Sequence, residues 1–347
     1  MMGMYGEAKG MPRGRGPSET WRRLADGCLR WEGLRARAGI LEGIRRFFRD
    51  RGFLEVDPPI ASPFPNIDPN VFPVRIEDAA GNGARFYLHT SPELAMKKLL
   101  AAGSGDIFFL GKVFRDREGS PLHSPEFTML EWYRLGPVEG VMDDVEELVR
   151  CLALETGGRR ALSHGGREIP LDRPWERRGL SDAFRELLGA EMTDAEGLRA
   201  GLSRLGSRPG PGESWEDLFF RACIEAIEPD AARRGACFVT GFPAALGAMA
   251  RRRDSDPEVA ERFEGYLGGI ELVNGYGELT DPQEQEARLS ELAERHFRAT
   301  GERLPVDPGF IDALRHGLPP CSGAALGVDR LVMLLLGNDD IADGMYR

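Results

Sequence analysis

The chain has little cysteine: Cys28, Cys151, Cys223, Cys237 and Cys321 are scattered over 347 residues with no C-x-x-C pair. An odd, dispersed set excludes a disulfide framework and a cysteine-built zinc site, and fits small buried apolar residues. Long apolar runs are also missing; none reaches the ~20 residues needed to span a bilayer. Residues 1–16 are rich in Gly, Lys and Arg but have no apolar stretch of the kind a secretory signal needs. A cytoplasmic protein without membrane attachment is the resulting expectation. Positive charge is in deficit, 45 Lys and Arg against 56 Asp and Glu, for a net charge of −11. Phosphate neutralisation supplies most nucleic-acid affinity, so a broad RNA-binding face is not expected. A local patch such as Arg251, Arg252 and Arg253 stays compatible with that total.

The composition is otherwise globular, 41% hydrophobic and 29% charged, over a length able to bury a substantial core. Residues 1–18, with many Gly and Pro, are expected to form a disordered lead-in. Amphipathic helices are predicted from residue 19 and over 31–51, where Leu34, Ile40, Leu41, Ile44, Phe47 and Phe48 recur at helical spacing and Gly52 ends the pattern. Residues 107–115 and 126–134 are predicted to be one antiparallel hairpin around a polar loop at 116–124. Helix over 141–154, a Gly/Arg-rich connector at 157–168 and mostly helix over 180–233, broken at 209–212, follow. Strands return at 237–242 and 262–279, then a helix over 282–300, a Gly-rich strand at 322–328 and a helix over 329–336. Two strand blocks separated by helices predict an α+β protein with one antiparallel sheet assembled from distant parts of the chain.

Four segments carry more than a scaffold needs. Thr90-Ser91-Pro92-Glu93 precedes a helix; its plain explanation is a Ser or Thr cap with Glu in the first turn. On the strand that follows the polar loop, Phe127, Met129, Glu131 and Tyr133 share a face. A carboxylate in that company is poor core material, and Arg115 on the facing strand is well placed to grip a phosphate. An exposed, salt-bridged hairpin is the alternative. Glu264 and Glu271 flank Gly268-Gly269, one of two plausible turns; Asn274-Gly275 is the other. Carboxylates ~5 Å apart on paired strands repel by about 3 kcal/mol at an effective dielectric of 20. Mg²⁺ shared with phosphates would explain them, and a solvated hairpin would as well. Last, Cys321-Ser322-Gly323-Ala324-Ala325-Leu326-Gly327 allows a ligand or a backbone to approach closely, and Arg330 follows at a helix start, suited to a phosphate or a base. Ordinary strand–turn–helix packing is the alternative.

Taken in order, the segments resemble the three signature motifs of class II aminoacyl-tRNA synthetases. Arg51-Gly52-Phe53 with Pro58-Pro59 resembles motif 1, and Phe114-Arg115 with Phe127 and Glu131-Trp132-Tyr133 resembles motif 2. Gly323 to Asp329-Arg330-Leu331 resembles motif 3. Thr90-Ser91-Pro92-Glu93, the string from Glu271 to Glu278, and Asp281 with Glu284-Gln285 are similar to the lysine-specific members. Within that group, the string from His123 to Tyr133 and Cys321-Ser322-Gly323 resemble the elongation factor P–lysine ligases.

The resemblance implies a class II catalytic domain over residues 19–347, an antiparallel sheet flanked by helices, with no N-terminal anticodon-binding OB domain. It implies an ATP-dependent, AMP-forming ligase that makes an aminoacyl-adenylate of lysine or (R)-β-lysine and passes it to a lysine side chain of elongation factor P, with Mg²⁺ as cofactor. By position, Arg115 would hold the α-phosphate, and Phe127 and Arg330 would sandwich the adenine, with His123 beside the terminal phosphates. Asp116, Arg117, Ser124, Leu272 and Gly327 would border the nucleotide, and Glu264 and Glu271 would bind the metal. Ser91, Pro92 and Glu93 would receive the amino end of the substrate, while Tyr133 and Glu278 would read its distal ammonium. Ala325 stands where the synthetases have Gly, and its methyl would disfavour α-lysine by about 1–3 kcal/mol. Motif 1 implies a homodimer. Ser124 departs from the family, which often has Asn there. Action on tRNA, or a non-catalytic sensor of amino acid or nucleotide, would use the same motifs. The acidic charge and the missing OB domain count against tRNA, and the retained Arg115, Arg330, Glu264 and Glu271 against a sensor.

Overall fold

The computed structural model describes residues 17–27, 31–68, 70–77 and 84–345. Cys28 and most of the expected lead-in fall outside these; Pro17 and Ser18 already belong to the first helix.

Helices α1 (Pro17–Ala25) and α2 (Trp31–Arg49) precede strand β1 (Leu54–Glu55) and a small sheet of β2 (Ala61–Ser62), β3 (Arg75–Glu77) and β4 (Ala84–Leu88). Helix α3 (Glu93–Ala101) leads into the hairpin β5 (Ile107–Phe114) and β6 (Glu126–Leu135), then α4 (Val138–Gly157). A hairpin of β7 (Ala161–His164) and β8 (Arg167–Pro170) and strand β9 (Glu176–Gly179) come next. Helices α5 (Leu180–Leu188), α6 (Ala195–Arg204) and α7 (Trp215–Ala222), a π turn over Cys223–Ile227 and α8 (Glu228–Arg234) follow. Strands β10 (Ala236–Pro243), β11 (Arg252–Arg253), β12 (Asp256–Leu267) and β13 (Ile270–Gly277) precede α9 (Pro282–Thr300) and α10 (Pro308–Gly317). Strand β14 (Cys321–Gly327) then runs directly into α11 (Val328–Leu336).

Among the described residues the main sheet has nine strands in the order β1-β5-β6-β14-β13-β12-β10-β9, with β11 paired to β12. Its centre is antiparallel as expected, but the β1–β5 and β9–β10 pairs are parallel, so the sheet is mixed. The reason is connectivity: helices α5 to α8 lie between β9 and β10, and parallel pairing needs such a long crossover.

Helix α2 buries Ile40, Ile44, Phe47 and Phe48 at i, i+4 spacing against one face of the sheet. Phe48 stacks on Phe108 of β5, with ring centroids 5.1 Å apart, and meets Trp132 of β6 at 5.4 Å. Together with α4 and α11 this face forms the largest apolar cluster of the described residues, while α3 and α10 pack on part of the other face. The turn at Gly268 and Gly269 has the positive φ that two glycines permit. Asn274-Gly275 lies within β13 instead of at a turn, paired with β12 and β14 on both sides, and a Cβ on Gly275 would stand 2.6 Å from the Phe263 ring. The expected connector at 157–168 contains the β7–β8 hairpin, which turns on Gly165-Gly166 and buries Leu162 opposite Ile169. Helix α10 was not expected from the sequence. Its signal was present: Asp307 accepts hydrogen bonds from the N–H groups of Gly309 and Phe310, with Pro308 in the first turn.

Candidate active site

The opposite face of β6, β14, β13 and β12 floors a cavity of about 660 Å³, within the size range of small-molecule sites. Register fixes its floor: Gly323 lies between Tyr133 and Tyr276, and Ala325 between Glu131 and Asn274. A Cβ on Gly323 would come within 2.4 Å of the Tyr133 ring and 2.8 Å of Glu278 Oε1, so only glycine fits there. Ala325 adds its methyl to the floor.

One end of the cavity is acidic and dry. Ser91 Oγ–H donates to Glu131 Oε2 (2.6 Å) and accepts from the Glu93 N–H (3.1 Å), so Ser91 does not act as a simple cap. Pro92 occupies the cap position of α3 and is itself buried. The Tyr133 hydroxyl donates to Glu131 Oε1 (2.8 Å). Lys97, one turn after Glu93 on α3, is fully enclosed; its Nζ lies 2.7 Å from Glu93 Oε1 and 2.5 Å from Glu278 Oε2. Burial opposes the Lys97 ammonium, but Glu278 and then Glu93 outweigh it and hold its pKa above the ordinary lysine value. For Glu278 burial pushes upward foremost and Lys97 pulls back; the short contact to a charged ammonium marks the pair as ionic. Glu131 has no cation in contact, and burial, with Glu93 second, raises it to about 7.

Tyr133 and Glu278, expected to read a distal ammonium, both have partners inside the protein. Lys97 already holds one oxygen of Glu278, and the Tyr133 hydroxyl is turned to Glu131. A fully buried carboxyl that stays ionised needs a counter-ion. Glu278 Oε1 has no hydrogen-bond partner and faces the position beside Gly323.

The other end holds cations and further carboxylates. Arg115 lines the cavity, meets Glu118 only at 3.9 Å and donates to the Thr90 carbonyl at 3.4 Å, leaving most of its donors unused. Its guanidinium lies over the Phe127 ring, 5.1 Å from the centroid. Arg330, expected with Phe127 on either side of an adenine, donates to the Glu271 carbonyl (2.6 Å) and to His123 Nε2 (2.8 Å). His123 must be neutral to accept that bond, and desolvation, then Arg330, lower its pKa accordingly. Glu264 sits opposite Asn274 and Glu271 opposite Tyr266, which makes the two carboxylates diagonal neighbours. Both oxygens of Glu264 are engaged, by Arg262 and by Tyr266, each at 2.7 Å. Burial and then Glu271 raise Glu264; burial, Glu271 and Glu264 raise Glu228 to about 7. Among the described residues no group of three or more His, Cys, Asp or Glu is arranged to hold a metal.

The remaining expected residues are less central. Asp116 and Arg117 are exposed on the loop, where Arg117 has φ 63 and covers the Phe72 ring at 4.0 Å. Ser124 is buried beneath the loop. The Leu272 side chain belongs to the apolar cluster on the opposite face, leaving only its backbone for a ligand. Gly327 ends β14, with nothing nearer to a Cβ there than the Arg330 side chain at 3.6 Å. Sequence reasoning passed over Lys97 and Glu131 as site residues. Glu131 was visible as misplaced core, and Lys97 as the i, i+4 partner of Glu93.

A family model described as tRNA synthetases class II (D, K and N) matches residues 30–346. An elongation factor P–(R)-beta-lysine ligase from Yersinia enterocolitica is 40% identical over 318 residues, covering 89% of this chain and 93% of that protein. Ligases of the same name from Vibrio cholerae and Salmonella gallinarum are each 39% identical, over 89% of this chain and 92% and 93% of their own lengths. Matched over nearly its whole length, the chain belongs to the class II tRNA synthetase family, in the group of the elongation factor P–(R)-beta-lysine ligases.

Proposed function

We propose that the protein activates lysine or (R)-β-lysine with ATP and joins it to a lysine side chain of elongation factor P. The amino-acid part is carried by the charge count at the cavity floor: Glu93, Glu131 and Glu278 share one internal ammonium, Lys97. A diamino acid brings two ammonium groups and neutralises the two carboxylates left over. An amino acid with an uncharged side chain leaves one of them buried and unpaired. The acceptor follows the relatives, which are ligases of elongation factor P. With a translation factor as acceptor, the place of action is the cytoplasm.

Ser91, Pro92 and Glu93 take one amino group, and Tyr133 with the free oxygen of Glu278 takes the distal one. Ala325 crowds the floor where α-lysine and β-lysine differ. Arg115 takes the α-phosphate with its unused donors, stabilising the charge that develops as pyrophosphate leaves. Arg330 and His123 serve the terminal phosphates and Phe127 the adenine, with Asp116, Arg117, Ser124, Leu272 and Gly327 around the nucleotide. Glu264 and Glu271 offer the oxygen donors a hard divalent cation prefers, and their mutual repulsion is of the kind such a cation relieves. Mg²⁺ bound there would offset phosphate charge.

The first step needs no general base, since the substrate carboxylate is already a nucleophile. One of its oxygens attacks the α-phosphorus, and the bond to pyrophosphate breaks. The neutral acceptor amine then attacks the carbonyl carbon, AMP departs, and the new amide loses a proton. A homodimer accompanies this reading: Leu54 and Ile60, on the segment resembling motif 1, expose 56% and 46% of their surface, and a second copy covers them.

ATP–pyrophosphate exchange with α-lysine and (R)-β-lysine tests the activation step. Exchange favouring β-lysine, lost by ~10²-fold or more in Arg115→Ala, is the expected result. No exchange with either amino acid sinks the proposal, and exchange favouring α-lysine reopens the choice of acceptor. A mass increase of one lysyl unit on elongation factor P tests the transfer.

A further inference from the structure

Lys97 has no role in the chemistry described above, yet it is the most enclosed cation of the site. Its side chain has no exposed surface, and its ammonium touches a carboxylate from its own helix and another from the end of β13. Glu278 follows that strand by one residue, and its N–H donates to the Cys321 carbonyl of β14. The Lys97 Nζ also lies 6.0 and 5.8 Å from the centroids of the Tyr133 and Tyr276 rings, at cation–π range. These carboxylates and rings adjoin the cavity floor. Three of them, Glu93, Tyr133 and Tyr276, line the cavity directly.

The geometry assigns a consequence to this arrangement. A single nitrogen bridging Glu93 Oε1 and Glu278 Oε2 keeps those oxygens no farther apart than the two contacts allow. It also turns the second oxygen of Glu278 toward Gly323, where it has no partner. Glu93 belongs to α3 and Glu278 follows β13, and Lys97 is the cation that pairs with both. We propose that Lys97 is a positioning residue that sets the spacing of the two carboxylates, and through it the length of diamino acid the cavity accepts. The proposal rests on the diamino-acid reading given above. Lys97 touches no reacting atom; it acts through Glu93 and Glu278.

The full-length protein is tested by ATP–pyrophosphate exchange with lysine, (R)-β-lysine and ornithine, which is one methylene shorter than lysine. In Lys97→Met the amino-acid KM rises about ten-fold or more and discrimination against ornithine shrinks toward unity, while the KM for ATP stays within about two-fold of wild type. Lys97→Arg, which keeps the charge on a longer head, restores affinity in part but not the wild-type ratio of lysine to ornithine. Wild-type KM and discrimination in Lys97→Met overturn the proposal, as does a rise of the amino-acid and ATP KM in step, the mark of a merely structural role. If Lys97→Met does not fold, Lys97→Arg decides alone: a changed lysine-to-ornithine ratio supports the proposal and an unchanged one overturns it. Wild-type protein that exchanges with none of the three amino acids removes the activation reading itself. Wild-type activity with indifferent Lys97 variants removes this inference only.

Discussion

Glu131 is a side chain whose ionisation is governed by its burial beside the cavity. Its ordinary carboxyl value of 4.5 is moved to about 7, by burial first and by Glu93 second. Because the folded value is the higher one, the folded protein binds the proton more tightly than the unfolded chain. The contribution to stability is full below about 4.5 and is lost as pH rises through about 7. The melting temperature of the ligand-free protein is expected to fall across that window, and Glu131→Gln is expected to flatten the slope; an equal slope in the variant refutes the assignment. Lysine binding near neutral pH is expected to release a proton, because an ammonium beside Glu131 favours its charged form. Calorimetry in buffers of different ionisation enthalpy gives the sign, and proton uptake contradicts it. The sequence marked Glu131 as out of place among Phe127, Met129 and Tyr133. It did not show that Ser91 would supply one of its two hydrogen bonds, since forty positions separate them.

Helix α11 shows how an element is held so that its neighbouring residue reaches a site. Asp329, buried in the first turn, accepts a hydrogen bond from the Thr128 N–H (2.7 Å) and pairs with Arg37 of α2 (2.6 Å). Arg37 also donates to Thr128 Oγ1 (2.8 Å), so α2, β6 and α11 meet at one polar junction. Asp329→Ala leaves Arg37 buried without its carboxylate and is expected to lower stability by roughly 3–5 kcal/mol, measured by denaturant unfolding. A loss below about 1 kcal/mol would place this pair with ordinary surface ion pairs. Arg330, one residue on, would then misalign, and exchange activity is expected to fall beyond what the loss of folded protein explains. Most elements were legible because their periodicity is strong, as in α2 and the β5–β6 hairpin. The β7–β8 hairpin and α10 were not, because their cues are only a Gly-Gly pair and an Asp-Pro cap.

The whole sheet places residues from opposite ends of the chain within contact. Glu93 and Glu278 meet through Lys97, and His123 meets Arg330. Among the described residues no helix is long and apolar enough to cross a membrane. The exposed Leu54 and Ile60 are expected to be covered by a second copy. Light scattering should therefore give twice the chain's mass for the wild type, and a single chain's mass for Leu54→Glu with Ile60→Glu. A wild-type mass of one chain removes the dimer.

The sequence by itself determined the residue types, their order and their motif spacing, because hydrophobic period, turn glycines and charged residues in apolar strands are local properties. That was enough to place Glu264, Glu271 and the Gly-rich strand on their elements and Arg115 just past the end of β5, and the Gly268-Gly269 turn put the two glutamates on paired strands. Only the tertiary structure decided which charges became partners. It gave Glu278 to Lys97, laid Arg115 on Phe127, turned Arg330 to His123 and made the outer strand pairs parallel. Each of these depends on the register of strands distant in sequence and on burial, which favours an internal counter-ion for a carboxylate that stays ionised.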